Sequence, residues 1–348
     1  MTETTSTCLW NDSADPRQLT AAIGWGAVGA TCNPVLALSA LKADLPTWQA
    51  RIAQCSREFP AASESEIGWK MVRELSVNAA VLLEPAFEVS AGVNGRLSIQ
   101  TDPRLYRDAQ ALAAQAIEFS KLAPNMIVKI PVTSAGVVAI EEATYRGVSV
   151  NATVSFSVAQ SVAVAEAVER GLARREAEGL DISRMGPVCT IMVGRLDDWL
   201  RVVAERDQIT VDPGHLEWAG VAVFKRAYEI FQDRGYRIRL LSAAFRNHMH
   251  WSEFIGGDVV ISPPFNWQER LNASGIEPAS RIAEPVDAVI MATLVNKFGE
   301  FRKAYEPDAM TTLDFNEFGP TRRTLRQFLE ATSELEALVR NVTVPNPD

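Results

Sequence analysis

Eight short apolar runs, each followed by a longer stretch of helical periodicity, constrain this 348-residue chain more than any other feature. The runs fall at 8–11, 27–31, 96–100, 126–131, 148–156, 188–193, 236–243 and 258–261. Repeated strand-then-helix units predict an α/β fold, a closed parallel (β/α)8 TIM barrel. Local signals agree. Asp102-Pro103 reads as an N-cap followed by proline at the first helical position, with Leu105, Ala109, Leu112 and Ala116 on one helical face. Ser157 to Gln160 reads as a capping box, with Val162, Ala165, Val168 and Leu172 as its buried stripe. Gly147 and Gly235 suit helix ends just before strands. Residues 236–240 alternate as a strand should. Residues 285–340 read as extra helices outside the last strand, packed over the barrel or trailing from it. One barrel domain over 1–348 is expected, with 285–348 as the added helices and tail.

Composition enters through charge. Lys and Arg number 34 against 43 Asp and Glu, a net charge of −9. So acidic a chain is a poor general binder of nucleic acid or anionic membrane, and an anionic ligand needs a local arginine or lysine cluster. With 47% hydrophobic and 22% charged residues, disorder is excluded. Cys8, Cys32, Cys55 and Cys189 form no CxxC pair and resemble neither a zinc site nor a disulfide framework. They read as small buried hydrophobes in a reducing compartment. The first residues show no basic segment followed by an apolar one, so a cytoplasmic protein is expected.

In such a barrel the chemistry lies at the C-terminal ends of the strands. Those positions hold Asp12, Asn33, Gln100, Lys129, Asn151, Thr153, Arg195 and Arg246. Any one could be a cap or a solvated charge; all together are harder to dismiss. Lys129 is the sharpest signal. It interrupts the apolar run Ile127-Val128-Lys129-Ile130-Pro131, where lysine is rarely tolerated. Lost hydration lowers a lysine's pKa, and a neutral amine attacks a ketone to form a Schiff base, an electron sink for C–C cleavage. A lysine at a strand edge can snorkel to solvent, but these neighbours argue against it. Arg195 and Arg246, at the ends of adjacent strands, suit a phosphate, which guanidinium binds in bidentate fashion. His248 and His250 are two apart and make a poor metal pair. Asp197 and Asp198 read as an acidic pair at a helix N-terminus.

The chain resembles the transaldolases, barrels of the class I aldolase type that use a lysine Schiff base. The resemblance runs from Trp10 to about Pro264. It is carried by Leu9-Trp10-Asn11-Asp12, Ala30-Thr31-Cys32-Asn33-Pro34, the segment from Ser98 to Leu105, and Ile127 to Thr133. It continues through Gly147 to Ser157, Val193 to Asp197, and Ala244-Phe245-Arg246-Asn247. It implies Lys129 as the Schiff-base lysine and Asp12 as the acid/base for the hydroxyl beside the breaking bond. Asn33 and Asn151 would then hydrogen-bond a dihydroxyacetone unit, Thr153 position the catalytic water, and Arg195 and Arg246 clamp phosphate. It implies no metal, no organic cofactor, and sugar phosphates as ligands, and leaves room for a homodimer.

Four positions depart from the family's pattern. Gln100 stands where the family usually has Glu, and an amide holds a water where a carboxyl moves protons. Some transaldolase-like aldolases that use free dihydroxyacetone resemble this chain in that glutamine. Met192 stands where an aromatic is common, and Thr190 and Ala244 where serine is frequent. The expectation is transfer of a dihydroxyacetone unit between sugar phosphates. The alternatives are an aldolase using free dihydroxyacetone and a catalytically weakened sugar-phosphate-binding homologue.

Overall fold

A computed structural model describes residues 1–347. Eight parallel strands close into a barrel in sequence order: β1 (Cys8–Asn11), β2 (Ala27–Thr31), β3 (Arg96–Gln100), β4 (Met126–Pro131), β5 (Val150–Ser155), β6 (Val188–Ile191), β7 (Arg239–Ala243) and β8 (Val260–Ser262). β1 pairs with both β2 and β8, which completes the circle. The expected TIM barrel is therefore the observed one.

Side-chain alternation splits the strands into two apolar sets. Met126, Val128 and Ile130 of β4 join the large cluster shared with the helices. Ile127 instead joins Trp10, Val188, Leu241, Ala243 and Val260 of four other strands in a separate cluster that fills the barrel. Trp10 is its largest member and is fully buried. A Cβ on Gly29 of β2 would lie 2.4 Å from the Trp10 ring, so only glycine leaves room for this plug.

Several expected boundaries move, each for a local reason. The sheet does not begin at Tyr236. Gly235 takes a left-handed conformation (φ 62°), and the Tyr236 N–H bonds back to the Phe231 carbonyl at 3.1 Å. Tyr236 also packs edge-on against the Phe231 ring, so its apolar character serves the helix C-cap rather than a strand. β5 is shorter than 148–156, and β8 runs to Ser262. β6 ends at Ile191, and Val193 already opens the helix Val193–Arg206, so Arg195 sits in a first helical turn and not at a strand end. Asp102-Pro103 starts only a 3-10 turn, Pro103–Leu105; the helix begins at Ala109, capped by Asp108. Leu105 therefore lies off the face assigned to it. The Ser157 cap holds, with its Oγ accepting from the Gln160 N–H at 3.1 Å. The Gln160 Oε1, however, accepts from Phe156 N at 3.0 Å and from the Ser157 hydroxyl at 3.1 Å rather than from the backbone N–H of the cap residue.

Beyond β8 lie helices Ala288–Lys297, Gly299–Tyr305 and Gly319–Thr343. The last of these, the C-terminal helix, does not trail away. Its buried Leu325, Phe328, Leu335 and Val339 pack on the helices Pro34–Ala43, Leu45–Glu58 and Glu64–Val89, and the helix also meets β5. Arg340 pairs with Glu64 at 2.8 Å, Glu336 with Arg104 at 2.7 Å, and Gln160 Nε2 donates to Thr321 Oγ1 at 3.3 Å. The helix thus crosses the end of the barrel where the strands carry their polar residues. Among the described residues, no helix is long and apolar enough to cross a membrane.

Candidate active site

Lys129 follows Ile127 by two residues, so its side chain enters the barrel one layer above the apolar plug. Strand register sets its neighbours at that level: Gln100 of β3 on one side and Asn151 of β5 on the other. Lys129 is only 5% exposed. Burial pushes its ammonium below the usual lysine range; the charges of Asp12 and Cys32 act against this without reversing it. The result is an amine displaced toward its neutral, nucleophilic form.

Asp12 follows β1 and accepts a hydrogen bond from the Thr31 hydroxyl at the end of β2. Burial raises its carboxyl above the ordinary aspartate range, while Lys129, Thr31 and Arg195 pull the other way. The two groups shift toward each other: the amine loses its proton more readily and the carboxyl holds one more readily. That pairing suits proton exchange in a dry pocket. Cys32 lies beside them with its thiol pushed up to about 12, chiefly by burial, so it is a neutral wall and not a nucleophile.

Asn151 is fully buried and held at both ends of its amide. Its Nδ2 donates to Ser98 Oγ at 3.0 Å and its Oδ1 accepts from Thr190 Oγ1 at 2.7 Å. Thr153 lies two residues on, on the same face of β5 and buried. Gln100 is 3% exposed, and neither its Oε1 nor its Nε2 has a partner. It borders a void of about 10 Å³, roughly one water in size, closed by Asn33, Trp69, Thr332 and Leu335. Asn33 is partly committed elsewhere: its Oδ1 caps the helix Pro34–Ala43 by accepting from Leu36 N at 2.9 Å, which leaves the amide NH₂ for a ligand. Met192 is buried at the cap position of the helix Val193–Arg206.

The two arginines meet in one cleft, together with Asp198. Arg195 donates to Thr324 Oγ1 of the C-terminal helix at 3.2 Å, and its buried Nε has no partner. Burial, with Arg246 and Arg323 adding to it, drives its guanidinium down to about 10, against the pull of Asp198 and Asp12. Arg246 pairs with Asp198 at 2.7 Å. Asp198 is therefore an ion-pair partner of Arg246, and neither member of the acidic pair lies in the first turn of its helix, so the helix-terminal reading fails for both. Asp197 is fully buried, accepts from Gly220 N at 2.9 Å, and meets His250 Nε2 at 2.9 Å. The other ring nitrogen of His250 accepts from the Arg246 N–H at 3.0 Å. A backbone N–H can only donate, so Nδ1 is bare and Nε2 carries the proton toward Asp197. Gly194 lets these segments interlock, since a Cβ there would lie 2.1 Å from the Ala244 carbonyl and 2.7 Å from Arg246 Cγ.

Thr31, Ser98, Asp197, His250, Arg323 and Thr324 are absent from the sequence-based set. Thr31 and Ser98 had a signal, since each lies on a strand near its polar end. The others had none: Asp197 and His250 meet only through the fold, and Arg323 and Thr324 lie in a helix beyond the barrel.

Comparison with known proteins gives a consistent picture. The family model described as transaldolase/fructose-6-phosphate aldolase matches residues 9–336. A protein of Mycolicibacterium smegmatis named transaldolase is 34% identical over 212 residues, covering 59% of this chain and 55% of that protein. Its namesake from Mycobacterium ulcerans is 32% identical over 227 residues, 61% of this chain and 60% of that one. A third, from Thiobacillus denitrificans, is 37% identical over 174 residues, 49% and 48% of the two chains. This chain thus spans about half to three fifths of the length of these relatives.

Proposed function

The chain belongs to the transaldolase/fructose-6-phosphate aldolase family, and from that premise we propose that it transfers a dihydroxyacetone unit between sugar phosphates through a Schiff base on Lys129. The observation that carries the reading is a buried lysine with a lowered pKa, set between two carboxamides and coupled to a carboxyl whose pKa is raised.

The steps follow from these groups. The neutral Lys129 amine adds to the ketose carbonyl, and loss of water from the carbinolamine leaves the imine. Asp12, as carboxylate, takes the proton of the hydroxyl next to the bond that breaks. The C–C electron pair moves into the imine, an aldehyde departs, and an enamine stays on Lys129. The enamine then adds to an acceptor aldehyde with return of the proton from Asp12, and hydrolysis frees the new ketose. Asn151, fixed by Ser98 and Thr190, is suited to hold the hydroxyls of the three-carbon unit. Thr153, on the same face, suits the water of carbinolamine dehydration and hydrolysis. Arg195 and Arg246 suit the phosphate at the far end.

A second reading, in which the donor is free dihydroxyacetone, is favoured by Gln100, whose amide supplies no titratable proton. Coupled assays separate the two. Release of aldose phosphate from fructose 6-phosphate that depends on an added aldose-phosphate acceptor supports transfer. Equal release without acceptor supports the simple aldolase. No turnover in either assay would overturn both.

A further inference from the structure

The cleft beside the barrel mouth encloses about 440 Å³ between the helix Val193–Arg206, the loop after β7 and the C-terminal helix. Its charges do not balance. Four arginines line it: Arg195, Arg246, Arg323 and Arg326. Two carboxylates do so as well, Asp198 and Glu330, leaving a net charge of +2. The carboxylates are already engaged. Asp198 holds Arg246 at 2.7 Å, and Glu330 holds Arg326 at 3.0 Å. Arg195 and Arg323 remain, and their charges act on each other repulsively. The Arg323 side chain makes no hydrogen bond or ion pair among the described residues, whereas the adjacent Arg322 pairs with Glu317 at 3.2 Å.

Two guanidinium groups that face one space without a carboxylate in direct ion pairing to either favour an anion between them. A phosphate monoester carries about −1.5 to −2 charges near neutral pH, which matches the surplus. We propose that Arg323 is a third arginine of the sugar-phosphate site, so that the C-terminal helix itself contributes to selecting phosphorylated donors. Thr324, the next residue, already receives a hydrogen bond from Arg195, so the helix is seated at the same spot. The proposal rests on the reading above for the identity of the ligand as a sugar phosphate; the charge argument concerns the anion alone.

The test uses the full chain with two single variants, Arg323→Ala and, as a neighbour outside the cleft, Arg322→Ala. Inorganic phosphate binding is measured by titration calorimetry, and KM and kcat with fructose 6-phosphate and with unphosphorylated dihydroxyacetone as donors. Arg323→Ala is expected to weaken phosphate binding and raise the KM for the phosphorylated donor roughly three- to tenfold, the low end for a charge-assisted contact because Arg323 is exposed. kcat and the use of dihydroxyacetone should stay near wild type, and Arg322→Ala should match wild type throughout. Unchanged phosphate affinity in Arg323→Ala, or an equal loss in Arg322→Ala, would overturn the assignment. If the wild type turns over no ketose phosphate, the transaldolase reading fails, while the phosphate titration still decides whether Arg323 binds the anion.

Discussion

The account depends most on two side chains, Lys129 and Gln100. Lys129 in the folded chain titrates below its unfolded value of about 10.4. Between the two values the unfolded chain holds a proton that the native one has lost, so stability rises with pH across that window. Lys129→Met removes this dependence and fills similar volume. The variant should lose turnover while unfolding at higher urea than wild type at pH 7, with the gap closing toward pH 10. A less stable variant at pH 7 would contradict the buried-amine picture. Gln100 pairs in register with Lys129, so Gln100→Glu sets a carboxylate beside the amine. An opposite charge favours the ammonium. The acid limb of the kcat–pH profile should therefore move to higher pH. Turnover at the optimum should increase, because a positioned acid/base contributes about 10²–10⁴-fold to its own step. An unshifted limb with lower turnover would mean that Gln100 serves a different reaction. Lys129 was legible in the sequence because a charge inside an apolar strand is conspicuous. The strand-end position of Thr31 was legible too, but its pairing with Asp12 was not, because that contact exists only once the barrel closes and brings β1 and β2 together.

At the scale of elements, the start of the helix Val193–Arg206 and the loop after β7 act as one unit through Asp197 and His250. Both partners of Asp197 donate to it, Gly220 N and His250 Nε2–H. An asparagine there keeps only one acceptor atom, so its NH₂ must face a donor. Turned to His250, it forces the opposite tautomer and sets Nδ1–H against the Arg246 N–H. Asp197→Asn should therefore raise the KM for a phosphorylated donor severalfold while changing kcat with free dihydroxyacetone little. A loss shared equally by both donors would point to general unfolding instead. The strand positions were readable because each is a short apolar run between helices. The Asp197–His250 pair was not, because its members lie in different units and each has an ordinary local role: an acid early in a helix, a histidine in the short helical turn Met249–Ser252. Arg195 was misplaced for a related reason. A helix opening straight after a strand has the same apolar lettering as the strand.

At the scale of the whole molecule, the C-terminal helix both builds the fold and borders the site. Burial of Leu325, Phe328, Leu335 and Val339 contributes roughly 6–12 kcal/mol at about 1.5–3 kcal/mol per side chain. That is comparable to the total stability of a typical domain, about 5–15 kcal/mol. A chain ending before Gly319 should therefore lose its cooperative thermal transition in circular dichroism; a truncated chain that melts like the intact one would show the helix to be an accessory. The helical pattern of 285–340 was visible in the sequence, but not its destination, because an amphipathic helix does not specify which surface it covers.

The central claim is that the Lys129 amine forms an imine with a ketose. It is tested most directly by borohydride reduction in the presence of fructose 6-phosphate, followed by mass mapping of the modified peptide. The account predicts one reduced adduct, on Lys129, that is absent from Lys129→Met. An adduct on another lysine, or turnover of the ketose phosphate with no trapped adduct, would contradict it.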